Sequence, residues 1–308
     1  MSRRGVLLPA YLCHSMIQPF EEAGLHPQFY PVNADLSADL AEISRRVHDD
    51  TAAVMIMHYF GFPQPADLVT AAAQAFPHLT IIDDRTHVLL NPPALLPANG
   101  IAISSPRKWG PFPDLGIVEW PEADRSPNLL DRGYDLPFAG RRIVGGLLRA
   151  LYFAWPTETL RKASLASLRR ADEILDRRVR VCRGSPLSRL IWSHWDRARV
   201  VQRRRANYAY LLKHWPLKEA RPLFPALPDA VCPLGFPIRT AARDDLRRQL
   251  IARRIYPPVH WLRPPQVDPD QFPAAAALAA EELTLVIDQR YNLQAMDHIL
   301  ETLCQTHL

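Results

Sequence analysis

The chain has 308 residues, of which 48% are hydrophobic and 22% charged, with a net charge of +5 at neutral pH. That composition describes a globular chain of roughly two domains, at about 100–200 residues each, able to bury a real core. Its four cysteines, Cys13, Cys182, Cys232 and Cys304, form no CxxC pair, so neither a structural zinc site nor a disulfide framework is indicated, and a reducing cytoplasm is the expected compartment.

From the start of the chain, short apolar runs alternate with helical stretches. VLLPAYL (Val6 to Leu12), HPQFYPV (His26 to Val32), AAVMIMHYF (Ala52 to Phe60), LTIIDD (Leu79 to Asp84), IAISS (Ile101 to Ser105) and GIVEW (Gly116 to Trp120) read as strands. Leu36 to Val47 and Ala66 to Phe76 read as helices between them. Strands alternating with helices predict a mostly parallel sheet covered on both faces. Such a sheet takes its ligands at the carboxyl ends of its strands. The N-terminal run is short, is interrupted by Pro9 and lacks a small-residue cleavage site, so it is expected to be a core strand rather than a signal peptide.

The middle, from Arg125 to Arg205, reads as helices broken near Gly133, Pro156 and Gly184-Ser185-Pro186. Ile143 to Trp155 is apolar but contains Arg149. It is shorter than the roughly 20 residues that span a bilayer, so a buried helix is expected there and no membrane anchor. Arginines crowd the span from Arg161 to Arg205. An anionic partner or a solvated helical face would each explain them. No nucleic-acid motif accompanies them, and no nucleic-acid partner is expected. Further on, VCPLGFPIRT (Val231 to Thr240) and ELTLVIDQR (Glu282 to Arg290) read as strands. Asp244 to Arg254 reads as a helix, and Ala274 to Ala280 as a loop leading into one. Leu293, Met296, Ile299, Leu300 and Leu303 have helical spacing on one face.

The chemistry concentrates after two strands. Only four lysines occur in this arginine-rich chain, and one, Lys108, lies in Ser104-Ser105-Pro106-Arg107-Lys108-Trp109-Gly110. Unlike arginine, lysine can lose its proton, attack a carbonyl and hold it as a Schiff base. Ser104 and Ser105 offer hydroxyls to a phosphate. The apolar turn Trp109 to Pro113 would desolvate the amine and lower its pKa. Upstream, Asp84 ends an apolar strand and His87 follows three residues later. A carboxylate and a lysine so placed suit pyridoxal 5'-phosphate (PLP), which needs a Schiff-base lysine and an acid against its pyridinium nitrogen. The acid pair would equally serve as a helix N-cap, His87 as a surface histidine and Lys108 as a loop lysine. A Walker-type reading fails, because the chain contains no GxxxxGK[ST] loop.

VLLPAYLCHSMIQPFEEAG, HYFGFPQ, IIDDRTH, SSPRKWGPFPDLGIVEW, RRRANY, CPLGFPI, RIYPPVHW and IDQRYN together resemble the DegT/DnrJ/StrS sugar aminotransferases, of PLP-dependent fold type I. The resemblance implies an α/β fold with a mostly parallel sheet, helices on both faces and a smaller α+β C-terminal domain. The expected division is a PLP-binding large domain over 1–124, a helical bridge over 125–205 and a small domain over 206–308. It implies Lys108 as the Schiff-base lysine and proton-transfer base, Asp84 on the pyridinium nitrogen, His87 on the 3-hydroxyl, and Ser105 with Ser104 on the phosphate. Cys13 stands at the offset where the family stacks an aromatic ring on the cofactor, with Tyr11 beside it.

The implied reaction moves an amino group from glutamate to a keto sugar nucleotide, in a cytoplasmic homodimer. The family's Gly-Thr or Gly-Ser phosphate turn precedes the strand that here is VLLP, and only four residues precede Gly5. A start placed too late, a partner polypeptide, or a catalytically impaired or non-catalytic homologue would each account for that. A PLP-dependent sugar dehydratase is a further alternative, disfavoured because those enzymes usually carry histidine in place of the lysine.

Overall fold

The computed structural model describes residues 3–65, 67–121, 132–177 and 181–306. Ala66, where one predicted helix begins, and the predicted boundary at 124/125 lie outside the described residues. The chain divides into two compact units, one of Met1–Ile103, Glu119–Pro121 and Asp196–Leu308, the other of Ser104–Val118 and Glu122–Trp195.

The first unit begins with β1 (Gly5–Pro9), α1 (His14–Glu22), β2 (His26–Tyr30), α2 (Leu40–Ser44), β3 (Thr51–Met57), α3 (Leu68–Ala75), β4 (Thr80–Asp84) and β5 (Gly100–Ser104). With β6 (Ile117–Glu119) they give a six-stranded sheet in the order β2-β1-β3-β4-β5-β6. The pairs β1–β2, β1–β3, β3–β4 and β4–β5 are parallel. The mostly parallel α/β fold expected from the sequence is therefore present. β1 is buried along its whole length and β3 along nearly all of it. This is why both read as continuous apolar runs rather than alternating ones. Strand order reverses between β1 and β3, and the crevice at such a switch point is where parallel sheets bind ligands.

The same unit resumes with α7 (Arg197–Lys213), β7 (Arg221–Pro222), β8 (Phe236–Arg239), α8 (Arg243–Ala252), α9 (Pro273–Glu281), β9 (Glu282–Leu285) and α10 (Leu293–Cys304). β7, β8 and β9 form an antiparallel sheet. The expected loop at Ala274 to Ala280 is instead the body of α9. Alanine is the best helix former, and Pro273 at the first turn fixes the entry without losing a hydrogen bond.

The second unit contains α4 (Leu136–Ala154), α5 (Glu158–Asp176) and α6 (Pro186–His194), each N-capped by a side chain, from Asp135, Thr157 and Ser185 respectively. The breaks fall where Gly133, Pro156 and Gly184-Ser185-Pro186 place them. The expectation of a buried helix over Ile143 to Trp155 is not met. The segment is helical, but Val144, Leu147, Leu151, Phe153 and Trp155 are all exposed. The inner face of α4 is its small-residue face: Gly145 lies against Leu168, and Ser164 and Ser167 donate to the carbonyls of Gly145 and Arg141. Close approach on that side turns the large apolar residues outward. Among the described residues no helix is long and apolar enough to cross a membrane.

Candidate functional site

At the carboxyl end of β4, Asp83 and Asp84 point to opposite faces, as successive strand residues must. Asp83 is fully engaged. His58, just past β3, approaches one oxygen through Nε2 at 2.9 Å, and Arg85 donates to the other from Nε at 2.6 Å. Burial pushes the Asp83 carboxyl up, but the hydrogen bonds from His58 and Arg85 and the Arg85 charge outweigh it and hold the group below its usual range. The imidazole of His58 is fixed at its other nitrogen, where Nδ1 accepts from the Gln64 N–H at 2.8 Å. This triad is structural, locking the end of β3 to the end of β4.

Asp84 is 5% exposed and accepts from the Thr86 N–H at 2.9 Å, an interaction that starts the turn leading to His87. His87 is buried, and its Nδ1 accepts from the Phe60 N–H at 3.1 Å. With Nδ1 accepting, the ring proton resides on Nε2, and that nitrogen becomes a donor.

The turn that supplies the Phe60 N–H needs unusual backbone. Phe60 has φ 54° and Gly61 φ 101°. A β-carbon on Gly61 would stand 2.2 Å from the Cys232 carbonyl oxygen, so only glycine fits. Leu234 donates to the Phe60 carbonyl at 2.7 Å, and the Asn91 side chain bridges the Gly61 carbonyl and the Cys232 N–H. The HYFGFPQ and CPLGFPI stretches are therefore two halves of one clamp.

Tyr11, two residues past β1, is buried, and among the described residues its hydroxyl has no hydrogen-bond partner. Burial raises its pKa, and the charges of Glu282 and Tyr59 add to this. Trp261 joins it to His87: the indole lies 5.5 Å from the Tyr11 ring and stacks on the His87 ring at 5.4 Å. His260 meets Phe60 and His87 edge-on, at 5.5 and 6.1 Å between centroids. Cys13 occupies the N-cap position of α1 without a side-chain capping bond, and its thiol lies 3.1 Å from the Ser15 hydroxyl. The first unit thus gathers Asp84, His87, Tyr11, Phe60, His260 and Trp261 near the carboxyl ends of β1, β3 and β4. Of these, His260 and Trp261 had only a weak sequence signal, in RIYPPVHW.

Ser104 closes β5 and is buried. Ser105 precedes a one-turn 3-10 helix, Pro106–Lys108, and Lys108 is its exposed last residue. The turn after it is anchored inside the second unit. Trp109 and Phe112 are buried, Phe112 packs against Trp192 and Trp195, and Asp114 accepts from the hydroxyls of Ser185 and Ser188. This gives Lys108 a rigid base on its C-terminal side.

Three C-terminal motifs, RRRANY, CPLGFPI and IDQRYN, hold one another through main-chain carbonyls. Arg204 donates to the Leu234 carbonyl at 2.6 Å and Asn207 to those of Ile287 and Tyr291 at 3.0 and 3.1 Å, so RRRANY holds CPLGFPI and IDQRYN in place. In α5, Arg161 and Arg170 pair with Glu158 and Glu173 of the same exposed helix, a solvated charged face.

No protein-family profile matches the sequence, and no curated protein matches it. Solved structures do. S. venezuelae DesV, in complex with a ketimine intermediate, is 18% identical, with a TM-score of 0.67 over 98% of this chain and 78% of that one. A DegT DnrJ EryC1 StrS aminotransferase from Brucella abortus is 15% identical, with a TM-score of 0.59 over 98% of this chain and 79% of that one. A sugar aminotransferase from Streptococcus pneumoniae in its PLP form is 15% identical, with a TM-score of 0.63 over 98% and 80%. The fold of this chain is that of the DegT/DnrJ/StrS-type sugar aminotransferases.

Proposed function

We propose that the chain is a PLP-dependent aminotransferase that moves an amino group from glutamate to a keto sugar nucleotide, working in the cytoplasm as a homodimer. The observation that carries this reading is the pairing of a buried Asp84 with a tautomer-fixed His87 beside the β1/β3 switch point. Solved chains of the same fold include a sugar aminotransferase in its PLP form.

The residues fit the cofactor by their donor chemistry. Asp84 is a buried acceptor able to hold a proton on a pyridine nitrogen. His87 Nε2 is a donor suited to a phenolic oxygen. The buried Tyr11 hydroxyl is a third polar group among apolar and aromatic walls. When bound, PLP supplies an electron sink for a substrate carbanion. In this reading Lys108 is the nucleophile that carries the cofactor and the base that moves the substrate proton. Ser105 and Ser104 donate to the phosphate, and Cys13 and Tyr11 border the ring.

The test is a half-reaction. PLP-loaded protein mixed with glutamate should release 2-oxoglutarate, up to one equivalent per chain, and a keto sugar nucleotide should then return it to the starting form. Asp84→Asn removes a hydrogen bond to a charged group, worth about 1.5–3 kcal/mol, and should slow the step roughly 10- to 150-fold. Release of no 2-oxoglutarate from glutamate, and of no corresponding oxo acid from any other amino donor, by PLP-saturated protein would overturn the reading.

A further inference from the structure

Beside the candidate site lies a buried acid that the proposed chemistry leaves unused. Glu282 opens β9 and is 0% exposed. Its carboxylate accepts from the His260 backbone N–H at 2.6 Å through Oε2 and from the Thr284 hydroxyl through Oε1. Thr284, 3% exposed, lies 3.0 Å from His260 Nδ1 through the same hydroxyl oxygen. Glu282 and Thr284 share one face of β9, two residues apart. His260, half-buried and edge-on to His87, links this interior pair to the site.

We propose that His260, Thr284 and Glu282 form a proton relay that takes a proton from the candidate site at His260 Nε2 and stores it on the Glu282 carboxyl. The hydrogen-bond directions require it to work as a unit. While Glu282 is ionised it only accepts, so Thr284 donates to Oε1. The Thr284 oxygen must then accept from His260 Nδ1–H, and Nε2 is a proton acceptor. When a proton binds Nε2, the Nδ1 proton passes to the Thr284 oxygen and the hydroxyl proton passes to Glu282 Oε1. One proton enters and one is stored, and no bond between heavy atoms changes. Oε2 is held by the His260 N–H, so the stored proton sits on Oε1, facing Thr284.

The surroundings suit storage near neutral pH. Burial pushes the Glu282 carboxyl up to about 8, against the downward pull of Thr284, the His260 N–H and the Arg243 charge. Arg243 on α8 uses its guanidinium on Asp244 and on the backbone carbonyls of Ala279 and Glu282 rather than on the Glu282 carboxylate. Tyr11 lies close enough to feel the Glu282 charge, and Arg239, the β8 residue in register with Glu282, is paired with Glu281. Among the described residues, His87 is a titratable group that faces His260 edge-on.

What the stored proton serves rests on the aminotransferase reading, but the relay itself is testable without activity. Nitrogen-15 NMR of histidine-labelled protein, with His260→Gln to assign the signal, reports the tautomer directly. The Nε2–H form is expected below about pH 8 and the Nδ1–H form above it. Thr284→Val should abolish that switch, and Thr284→Ser should restore it. A single His260 tautomer throughout, or a switch that survives Thr284→Val, overturns the relay even if transamination is observed. In an active enzyme, Glu282→Gln and Thr284→Val should remove the limb of the kcat–pH profile near about pH 8, and Thr284→Ser should retain it. If the switch is present by NMR but no amino transfer occurs, the functional reading fails and the relay stands.

Discussion

Asp83 and Asp84 are adjacent carboxylates with different environments because a strand turns successive side chains to opposite faces. His58 and Arg85 saturate Asp83, so a substitution there acts on stability before chemistry. Glu282 is the reverse case, a buried acid that, among the described residues, has no side-chain cation bonded to its carboxylate. Its raised pKa has a definite sign in stability. Between its ordinary value near 4.5 and its folded value of about 8, the folded chain holds a proton that the unfolded chain releases. Stability contributed by this site therefore falls as pH rises through that window. Glu282→Gln cannot ionise, so its thermal midpoint relative to the wild type should rise from about pH 5 to about pH 9. A constant difference across those pH values would show that Glu282 ionises as in an unfolded chain.

The elements that position the site are held by main-chain accounting rather than by bulk. The turn after β3 delivers the Phe60 N–H to His87 only because Gly61 adopts φ 101° against the Cys232 carbonyl. Gly61→Ala should cost at least about 1–3 kcal/mol for the left-handed backbone alone, with the clash added. Chemical denaturation should show the loss, and the His87 nitrogen-15 signal should leave its Nε2–H position. An alanine variant with wild-type stability and an unchanged His87 signal would contradict the clamp. The sequence motif around Gly61 was visible, but its partner was not. CPLGFPI lies some 170 residues on, and local pattern carries no information about such a contact.

Across the whole molecule, the parallel sheet was legible because its strands are short buried apolar runs spaced by helical stretches, and Asp84 and Lys108 were legible because each follows such a run. The relay was not. Glu282 and Thr284 sit in a run that reads as an ordinary strand, and their one trace was two polar residues at spacing two within it. The outward face of α4 is hidden from the sequence for a related reason: composition gives the apolar content of a helix but not which side its neighbours cover, and here Gly145 and Ser164 decide that. The proposed function gives Asp84 and Lys108 complementary roles toward one cofactor. The most direct measurement is borohydride reduction of the PLP-treated, folded chain followed by peptide mass analysis. The proposed chemistry predicts one reduced pyridoxyl adduct, on Lys108, that is lost in Lys108→Arg and weakened in Asp84→Asn. An adduct spread over surface lysines, or none on Lys108, would contradict it.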